Sequence, residues 1–82
     1  MVKAIVLMTI LGGTGERLEW SKGTRDRVKE IPGVIDVYGV LGRYDLFAMI
    51  EAETLEELTS LVADQIRSVP GIQTSETLMV VF

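Results

Sequence analysis

The 82-residue sequence contains no cysteine and no histidine. Without cysteine the chain forms no disulfide and no thiolate metal site. Without histidine it lacks the commonest general base, the usual metal ligand and the proton switch of neutral pH. Aromatic side chains are also few, with one Trp, two Tyr and two Phe. These absences argue against an enzyme and against a metal centre.

An excess of basic residues is absent as well. The chain has 12 acidic and 8 basic residues and a net charge of −4. Four of the basic residues fall within residues 22–29, but acidic residues are interleaved with them. A nucleic-acid binder concentrates its basic residues on one face, so this pattern favours a solvated helix face. We therefore expect no direct contact with nucleic acid.

Long apolar runs and targeting segments are missing too. The longest apolar run, residues 4–11, is broken by Thr9 and is too short to span a bilayer. A lysine lies near the N-terminus, but no small-residue cleavage site follows it, which argues against a signal peptide. Because 82 residues allow only one domain, we expect a single-domain, soluble cytoplasmic protein that does not enter a membrane.

The remaining pattern is a β-α-β unit that occurs twice. A strand is predicted at residues 2–11 and a helix at 16–31, and a hairpin follows with strands at 34–41 and 46–50. A second helix begins at a capping box and leads to a final strand at residues 72–82. Each helix is followed by Pro-Gly, at residues 32–33 and at 70–71. This order predicts the α+β, ferredoxin-like fold βαββαβ, a four-stranded antiparallel sheet with both helices on one face.

The two helices differ in how clearly the sequence marks them. In the first, Val28 and Ile31 form an inward stripe that Leu18 and Trp20 extend, while Gly23 leaves the start of the helix open. In the second, Thr54 is the expected N-cap, with the Glu57 side chain reaching back to it. Apolar residues then recur at helical spacing on one face, at Leu55, Leu58, Leu61, Val62, Ile66 and Val69.

The second face of the predicted sheet is apolar. In an antiparallel sheet with one face in water, apolar and polar residues alternate along each strand. In the third strand, however, Leu46, Ala48 and Ile50 occupy one face, and the other face carries Phe47 and Met49, which are also apolar. Leaving such a face in water would expose a larger apolar patch than monomers tolerate. We therefore expect a homodimer that packs sheet on sheet as a dimeric α+β barrel. Tight packing within a monomer is the alternative.

Polar groups converge at one turn, residues 42–45, whose sequence is Gly-Arg-Tyr-Asp. It lies between two apolar strands and is the first place to seek a small-molecule site. The alternative is purely structural, because Gly42 can serve as a turn residue of positive φ and Asp45 can bind turn N–H groups. The Gly-Gly-Thr-Gly run at residues 12–15 lacks the lysine spacing of a phosphate loop, so we do not assign it that role.

Four motifs of this chain occur together: Pro-Gly-Val at residues 32–34, Gly-Arg-Tyr-Asp-Leu at 42–46, Pro-Gly-Ile at 70–72 and Ser-Glu-Thr-Leu at 75–78. In this combination the chain resembles the effector-binding (RAM) domain of the Lrp/AsnC transcription regulators. The resemblance implies one ligand-binding domain over residues 1–82 without a DNA-binding domain, which is the stand-alone version. It also implies a homodimer, rings of dimers, and co-assembly with full-length regulators of the family.

The resemblance further implies a free amino acid as effector, bound between subunits near the Gly-x-x-Asp turn and the last strand. Carried onto this sequence, the ligand-binding residues are those of the turn, the two tyrosines and the hydroxyls of the last strand: Tyr38, Gly42, Tyr44, Asp45, Ser75 and Thr77. The family usually has Thr-x-Thr where this chain has Ser-Glu-Thr at 75–77, so we expect a different ligand preference. The region of residues 12–23 is longer and richer in glycine than the family norm.

The chemistry of an amino acid suits these residues. Its ammonium needs an anionic acceptor, which Asp45 offers. Its carboxylate needs donors, such as turn N–H groups beside Gly42 and the hydroxyls of Ser75 and Thr77. The two hydroxyls are also ordinary on a β-strand, Arg43 is expected to be exposed, and Trp20 is expected to be a packing residue rather than a recognition residue.

Three functions follow from the sequence. The favoured one is a non-enzymatic amino-acid sensor without a cofactor that acts in the regulation of transcription or of amino-acid metabolism. A small dimeric ferredoxin-like enzyme, such as a monooxygenase or isomerase, is an alternative. The chain offers few candidate catalytic groups for it, namely Asp45 and the two tyrosines. A purely structural oligomer is the third.

Overall fold

The computed structural model describes residues 1–11 and 17–82, with side chains excepted at residues 17–21. In chain order the elements are β1 (Val2–Ile10), α1 (Arg17–Lys29), β2 (Val34–Gly39), β3 (Leu46–Ala52), α2 (Leu55–Ser60) and β4 (Ile72–Met79). A π-helical segment, Leu61–Ile66, continues α2 without a break. The predicted β-α-β order is therefore confirmed.

The four strands form one antiparallel sheet in the order β2-β3-β1-β4. In the register of β1 with β3, Val6 lies opposite Ala48, and in the register with β4 it lies opposite Thr77. Irregularities occur between Val34 and Asp36 in β2, and between Thr9 and Ile10 in the pairing with β4. This order confirms the ferredoxin-like prediction.

The core lies between the sheet and the two helices. Alternate residues of β1 and β3 are buried, while the residues between them are only half-buried. Val28 of α1, Leu58 of α2 and Ile66 of the π-helical segment belong to the same buried cluster. Both helices therefore cover one face of the sheet. We refer to the opposite face, which no described element covers, as the open face.

Each Pro-Gly joint turns the chain from a helix into a strand in the same way. Gly33 has a φ of 101° and Gly71 a φ of 99°, a region that side-chain-bearing residues rarely adopt. Beside each glycine a backbone bond closes the turn, from the Val34 N–H to the Ile31 carbonyl at 3.1 Å and from the Ile72 N–H to the Val69 carbonyl at 3.3 Å. The repeated joint thus has one geometry at both positions.

The capping box before α2 forms with one difference from the prediction. The N–H of Glu57 donates to Oγ1 of Thr54 at 3.1 Å, so Thr54 is the N-cap. The Glu57 carboxylate reaches back and accepts from the N–H of Glu53 at 3.3 Å, one residue before the cap. Both bonds satisfy backbone donors near the start of a short helix.

Other sequence predictions need correction at their bounds. The helix α1 ends at Lys29 instead of continuing to residue 31, and β4 ends at Met79 rather than at residue 82. Leu55 belongs to the predicted apolar stripe of the second helix, but it is the first residue of α2 and is 55% exposed. The side chains of Leu18 and Trp20, and the run at residues 12–15, lie outside the described residues.

Candidate functional site

Hydrogen bonds of Asp45 connect the turn of residues 42–45 to the end of β1. Its Oδ2 accepts a 2.8 Å hydrogen bond from the N–H of Ile10, and its own N–H donates to the Met8 carbonyl at 2.8 Å. Its carbonyl accepts from the N–H of Val40 at 2.9 Å, which closes the turn. Asp45 therefore has the structural role that the sequence left open, although its carboxylate binds a strand N–H rather than one of the turn. The assignment of its carboxylate to an ammonium group stays a prediction.

Gly42 provides the conformation that the turn needs. Its φ is 141°, and a Cβ added there would meet no atom within 4 Å. The glycine is therefore required by the backbone and not by a close neighbour within this chain. Arg43 beside it is exposed, as the sequence predicted.

Tyr44 reaches from the turn to β4. Its hydroxyl donates a 2.5 Å hydrogen bond to Oε2 of Glu76. This hydrogen bond, together with desolvation and the negative charge of Glu76, raises the pKa of Tyr44, and the positive charge of Arg43 opposes the increase. The neutral hydroxyl is thus held as a donor to a carboxylate.

Glu76 is a residue that our reasoning from the sequence missed. We assigned the hydroxyls of Ser75 and Thr77 to the ligand and passed over the carboxylate between them. In a strand, successive side chains point to opposite faces, so Glu76 cannot share a face with its two neighbours. The register places Glu76 opposite Leu7, which is on the open face. Strand alternation was the signal that could have identified it.

A second pair of polar side chains lies on the open face close to Glu76. Thr9 and Thr74 are opposite each other in the register of β1 and β4, and their hydroxyl oxygens are 2.5 Å apart. This pair and the Tyr44–Glu76 pair are two separate hydrogen-bonded pairs on the same face of the sheet, and we refer to these four residues as the polar cluster. It offers a carboxylate and three hydroxyl groups to whatever covers the open face.

Ser75 and Thr77 lie on the helix side of β4, opposite Met8 and Val6 in the register. Ser75 is half-buried and Thr77 is exposed. Within one chain, therefore, these hydroxyls do not face the polar cluster. Thr77 instead lines a groove of about 220 Å³ between β4 and the second helix. We refer to it as the β4 groove.

Tyr38 lies on the edge strand β2, where it is opposite Phe47 in the register and two residues before Val40, the backbone partner of Asp45. It is 53% exposed, and its ring packs at 51° to that of Phe47 with 6.3 Å between the centroids. Because Tyr44 points toward β4 at the opposite edge, the two tyrosines do not form the walls of one pocket within a single chain.

The rest of the open face is apolar and incompletely covered. Half-buried side chains of β1 and β3 occupy its centre, among them Leu7, Phe47 and Met49. Leu78 and Val80 extend it at the β4 edge and are 46% and 40% exposed. The apolar second face predicted from the sequence is thus present.

A wider groove of about 890 Å³ lies between the first Pro-Gly joint and the start of α2. Its wall contains five carboxylates, those of Glu51, Glu53, Glu56, Glu57 and Asp64. Within the described residues, however, no group of His, Cys, Asp or Glu is arranged to hold a metal ion. No helix among these residues is long and apolar enough to cross a membrane.

The sequence and the fold both resemble known proteins. The family model described as the Lrp/AsnC ligand binding domain matches residues 3–81. An uncharacterized HTH-type transcriptional regulator of Pyrococcus horikoshii is 32% identical over 54 residues, which are 66% of this chain and 36% of the relative. The chain thus spans between about a third and two-fifths of the length of the curated relatives that it matches.

Two crystal structures show the same fold. One, of a protein from Thermus thermophilus, has a TM-score of 0.85 and 32% identity, with 100% of this chain and 95% of that one covered. The other is a transcriptional regulator of Neisseria meningitidis in complex with L-Met, with a TM-score of 0.78 and 17% identity over 99% of this chain and 50% of that one. At this identity the likeness to the Neisseria protein is one of fold.

Proposed function

The chain belongs to the family of Lrp/AsnC ligand-binding domains, and from this we propose that it is a non-enzymatic module that binds a free amino acid between subunits. Its role is regulatory, in transcription or in amino-acid metabolism. The observation that carries the proposal is the apolar open face of the sheet, which is bordered at one end by the polar cluster.

The first step of the proposal is a homodimer formed through the open face. Burial of apolar surface stabilises association by about 25 cal/mol per Å². The side chains at the centre of this face, such as Phe47 and Met49, are only half-buried in one chain. A two-fold axis through the face would bury the same residues of both copies at once. Rings of dimers and co-assembly with full-length regulators are further assemblies that the proposal allows.

The second step is that the ligand site needs two chains. The predicted ligand residues lie at three places in one chain: the turn with Asp45, the helix side of β4 with Ser75 and Thr77, and the edge strand with Tyr38. A site between subunits would combine the turn of one chain with β4 of another. Asp45 would then accept from the ammonium group, while the strand hydroxyls would donate to the carboxylate.

The fold likeness to the Neisseria regulator, which was crystallised with L-Met, supports an amino acid as the ligand class. An amino acid carries both charges within a small volume, so it can join the Asp45 carboxylate of one chain to hydroxyl donors on another. Binding to the assembled form would stabilise it by mass action, by about 2.7 kcal/mol at a ligand concentration 100 times the dissociation constant.

A thermal-shift screen against the twenty amino acids tests this function. We expect one or a few of them to raise the melting temperature of the protein, and Asp45→Asn to abolish the increase while the dimer persists. Asn retains an oxygen that can accept from the Ile10 N–H, so this variant removes the charge with little loss of the turn. Asp64→Asn, at an exposed position on the π-helical segment, is the matched control.

The outcomes separate the three functions. If no amino acid shifts the melting temperature while the dimer remains intact, the sensor is excluded and a structural oligomer is favoured. Turnover of a supplied substrate would instead support an enzyme. A ligand response that Asp45→Asn leaves unchanged would exclude the turn as the ammonium site.

A further inference from the structure

We propose that the two-fold axis of the dimer runs along the strands, so that the β2 edge of each sheet lies over the β4 edge of the other. Lys3 of each chain then pairs with the partner's Glu51, and the ring of Tyr38 covers the partner's Glu76. The inference rests on the proposed function, from which it takes a dimer formed through the open face. It adds the orientation of the two sheets and the contacts that determine it.

The strand registers divide the open face into rows that run across the sheet. From β2 to β4, the row of Leu7 contains Tyr38, Phe47, Leu7 and Glu76. In the same direction, the row of Ile5 contains Asp36, Met49, Ile5 and Leu78. Near the start of β1, Lys3 lies opposite Glu51 of β3. The two central strands therefore carry apolar residues in the first two rows and a pair of opposite charges at one end.

Two aligned sheets can face each other about a two-fold axis in two ways. If the axis runs along the strands, between β1 and β3, each row lies over the same row of the partner. In that case β2 lies over the partner's β4, and β3 over the partner's β1. If the axis runs across the strands, each strand lies over the same strand of the partner and the order of the rows is reversed. Different residues therefore face each other in the two arrangements.

Charge favours the axis along the strands. In that arrangement Lys3 lies over the partner's Glu51, and the symmetry repeats the contact, so two pairs of opposite charges form. Lys3 is exposed and Glu51 half-buried in one chain. With the axis across the strands, Glu51 instead lies over the partner's Asp45, which precedes Leu46 at the other end of β3. Carboxylates that face each other repel, and this second arrangement contains two such pairs.

The proposed arrangement keeps charges away from the centre of the interface. Leu7 lies over the partner's Phe47, and Ile5 over the partner's Met49, so each apolar side chain of the central strands covers another one. Asp36 lies at the β2 edge. The rim of an interface between proteins is usually polar, so a carboxylate is tolerated at that position.

Tyr38 adds a residue of the second chain to the polar cluster. It is 53% exposed in one chain, where its ring packs against that of Phe47. In the proposed arrangement it lies over the partner's Glu76, whose carboxylate accepts from Tyr44 at 2.5 Å. The ring then shields this hydrogen bond from solvent. The polar cluster is therefore fully covered only when both chains are present.

The same orientation suits the two-chain site of the proposed function. The turn of residues 42–45 and the start of β4 lie at one end of the sheet, because Asp45 bonds to Ile10 and Thr74 is opposite Thr9. An axis along the strands keeps this end over the same end of the partner. The start of the partner's β4 then lies over β2, beside the turn. An axis across the strands would place the two at opposite ends.

Cross-linking tests the orientation, and because the chain has no cysteine, introduced thiols report it without background. Asp36→Cys and Leu78→Cys proteins are mixed, allowed to exchange subunits and treated with a short bismaleimide. We expect cross-linked dimers from the mixture and none from either variant alone, because two copies of residue 36 would be three strands apart, roughly 14 Å to one side. Ala63→Cys, exposed on the helix side, is the matched control and should not cross-link.

Charge reversal tests the contact between Lys3 and the partner's Glu51 through the dissociation constant of the dimer. Glu51→Lys should raise this constant about tenfold or more, because lysines would then face each other across the interface. The double variant Lys3→Glu with Glu51→Lys restores opposite charges and should return the constant to within about threefold of the parent value. Glu53→Lys, at an exposed position beyond the end of β3, is the matched control.

The contrary outcomes separate the inference from the proposed function. A tighter dimer in Glu51→Lys, or cross-linking of Asp36→Cys or Leu78→Cys with itself, would indicate an axis across the strands and overturn the inference. A dimer that forms no cross-link in any mixture would indicate orthogonal sheets and overturn it as well, while the proposed function survives. A monomeric parent protein would refute both.

Discussion

The hydroxyl of Tyr44 donates to the Glu76 carboxylate at 2.5 Å and thereby connects the turn before β3 to strand β4, across β1. The bond links two predicted site segments that are 32 residues apart in sequence. It also lies on the face through which we propose that two chains associate. The ionisation of Tyr44 is therefore a probe of both the turn and the interface.

Removing the charge of residue 76 should lower the pKa of Tyr44. The pKa of this phenol is raised above its ordinary value of 10.0 by the hydrogen bond to Glu76 and by that carboxylate's charge. We expect Glu76→Gln to move it back toward 10.0, because Gln accepts a hydrogen bond without a negative charge. Ultraviolet absorbance of the phenolate, recorded in a Tyr38→Phe background, isolates Tyr44. An unchanged midpoint in Glu76→Gln would contradict the assignment.

The same shift makes stability depend on pH in the alkaline range. Because the folded-state pKa is raised, the protonated phenol contributes to stability fully below pH 10, and this contribution is lost as the pH rises through the folded-state value. We expect urea midpoints to fall in that range and the fall to be smaller in Tyr44→Phe. Tyr38→Phe is the matched control and should behave as the parent protein does.

Truncation of Asp45 should destabilise the fold apart from any effect on a ligand. Asp45→Ala leaves the Ile10 N–H without its 2.8 Å acceptor at a partly buried position, which costs about 1–3 kcal/mol. Asp45→Asn should cost less because an amide oxygen can replace the carboxylate. Urea denaturation of the two variants measures the difference. Equal stability of Asp45→Ala and the parent protein would show that the bond to β1 contributes nothing.

Two glycines should respond to alanine in opposite directions. At Gly33 a Cβ would lie 2.9 Å from Leu61 Cδ2 and 3.2 Å from the Glu51 carbonyl, at a φ of 101°, so we expect Gly33→Ala to lose roughly 1–3 kcal/mol. Gly23 lies inside α1 with no atom within 4 Å of an added Cβ. Gly23→Ala should therefore gain about 0.5–1 kcal/mol of stability. Thermal or urea unfolding measures both, and a loss in Gly23→Ala would contradict the assignment of an ordinary helix there.

A charge at the centre of the open face should dissociate the proposed dimer. Met49 lies opposite Ile5 of β1 and Asp36 of β2 in the registers. Met49→Glu would place a carboxylate in the apolar interface beside that of Asp36, where burying an unpaired charge is costly. We expect light scattering with size-exclusion chromatography to show a dimer for the parent protein and a monomer for Met49→Glu. Leu55→Glu, at an exposed position on α2, should remain a dimer; monomeric parent protein would refute the interface.

The fold could be predicted from the sequence because its strands, joints and capping box depend on local patterns. The apolar runs of β1 and β3, the Pro-Gly joints and the Thr54 cap need only neighbouring residues to be recognised. The π-helical winding at Leu61–Ile66 could not be predicted in this way. Its residues have the same apolar spacing as an α-helix, and only the packed structure determines which carbonyl the Arg67 N–H reaches.

The candidate site could be predicted only in part, for a different reason. The turn with Gly42 and Asp45 was identified by its composition, but the partner of the Asp45 carboxylate, the Ile10 N–H, is 35 residues away. Glu76 was passed over because a family motif directed attention to its two neighbours. Pairings between distant strands depend on register, which single-sequence patterns leave undetermined.

The strand order has a consequence for how the chain can be divided. Although the sequence consists of two β-α-β halves, the strands of each half are never neighbours, because β3 lies between β1 and β2, and β1 lies between β3 and β4. Neither half can therefore form a hydrogen-bonded sheet from its own strands in this arrangement. The strands of the two halves therefore alternate across the sheet. A protein cut within residues 40–44 would fold only if its two fragments associated with each other.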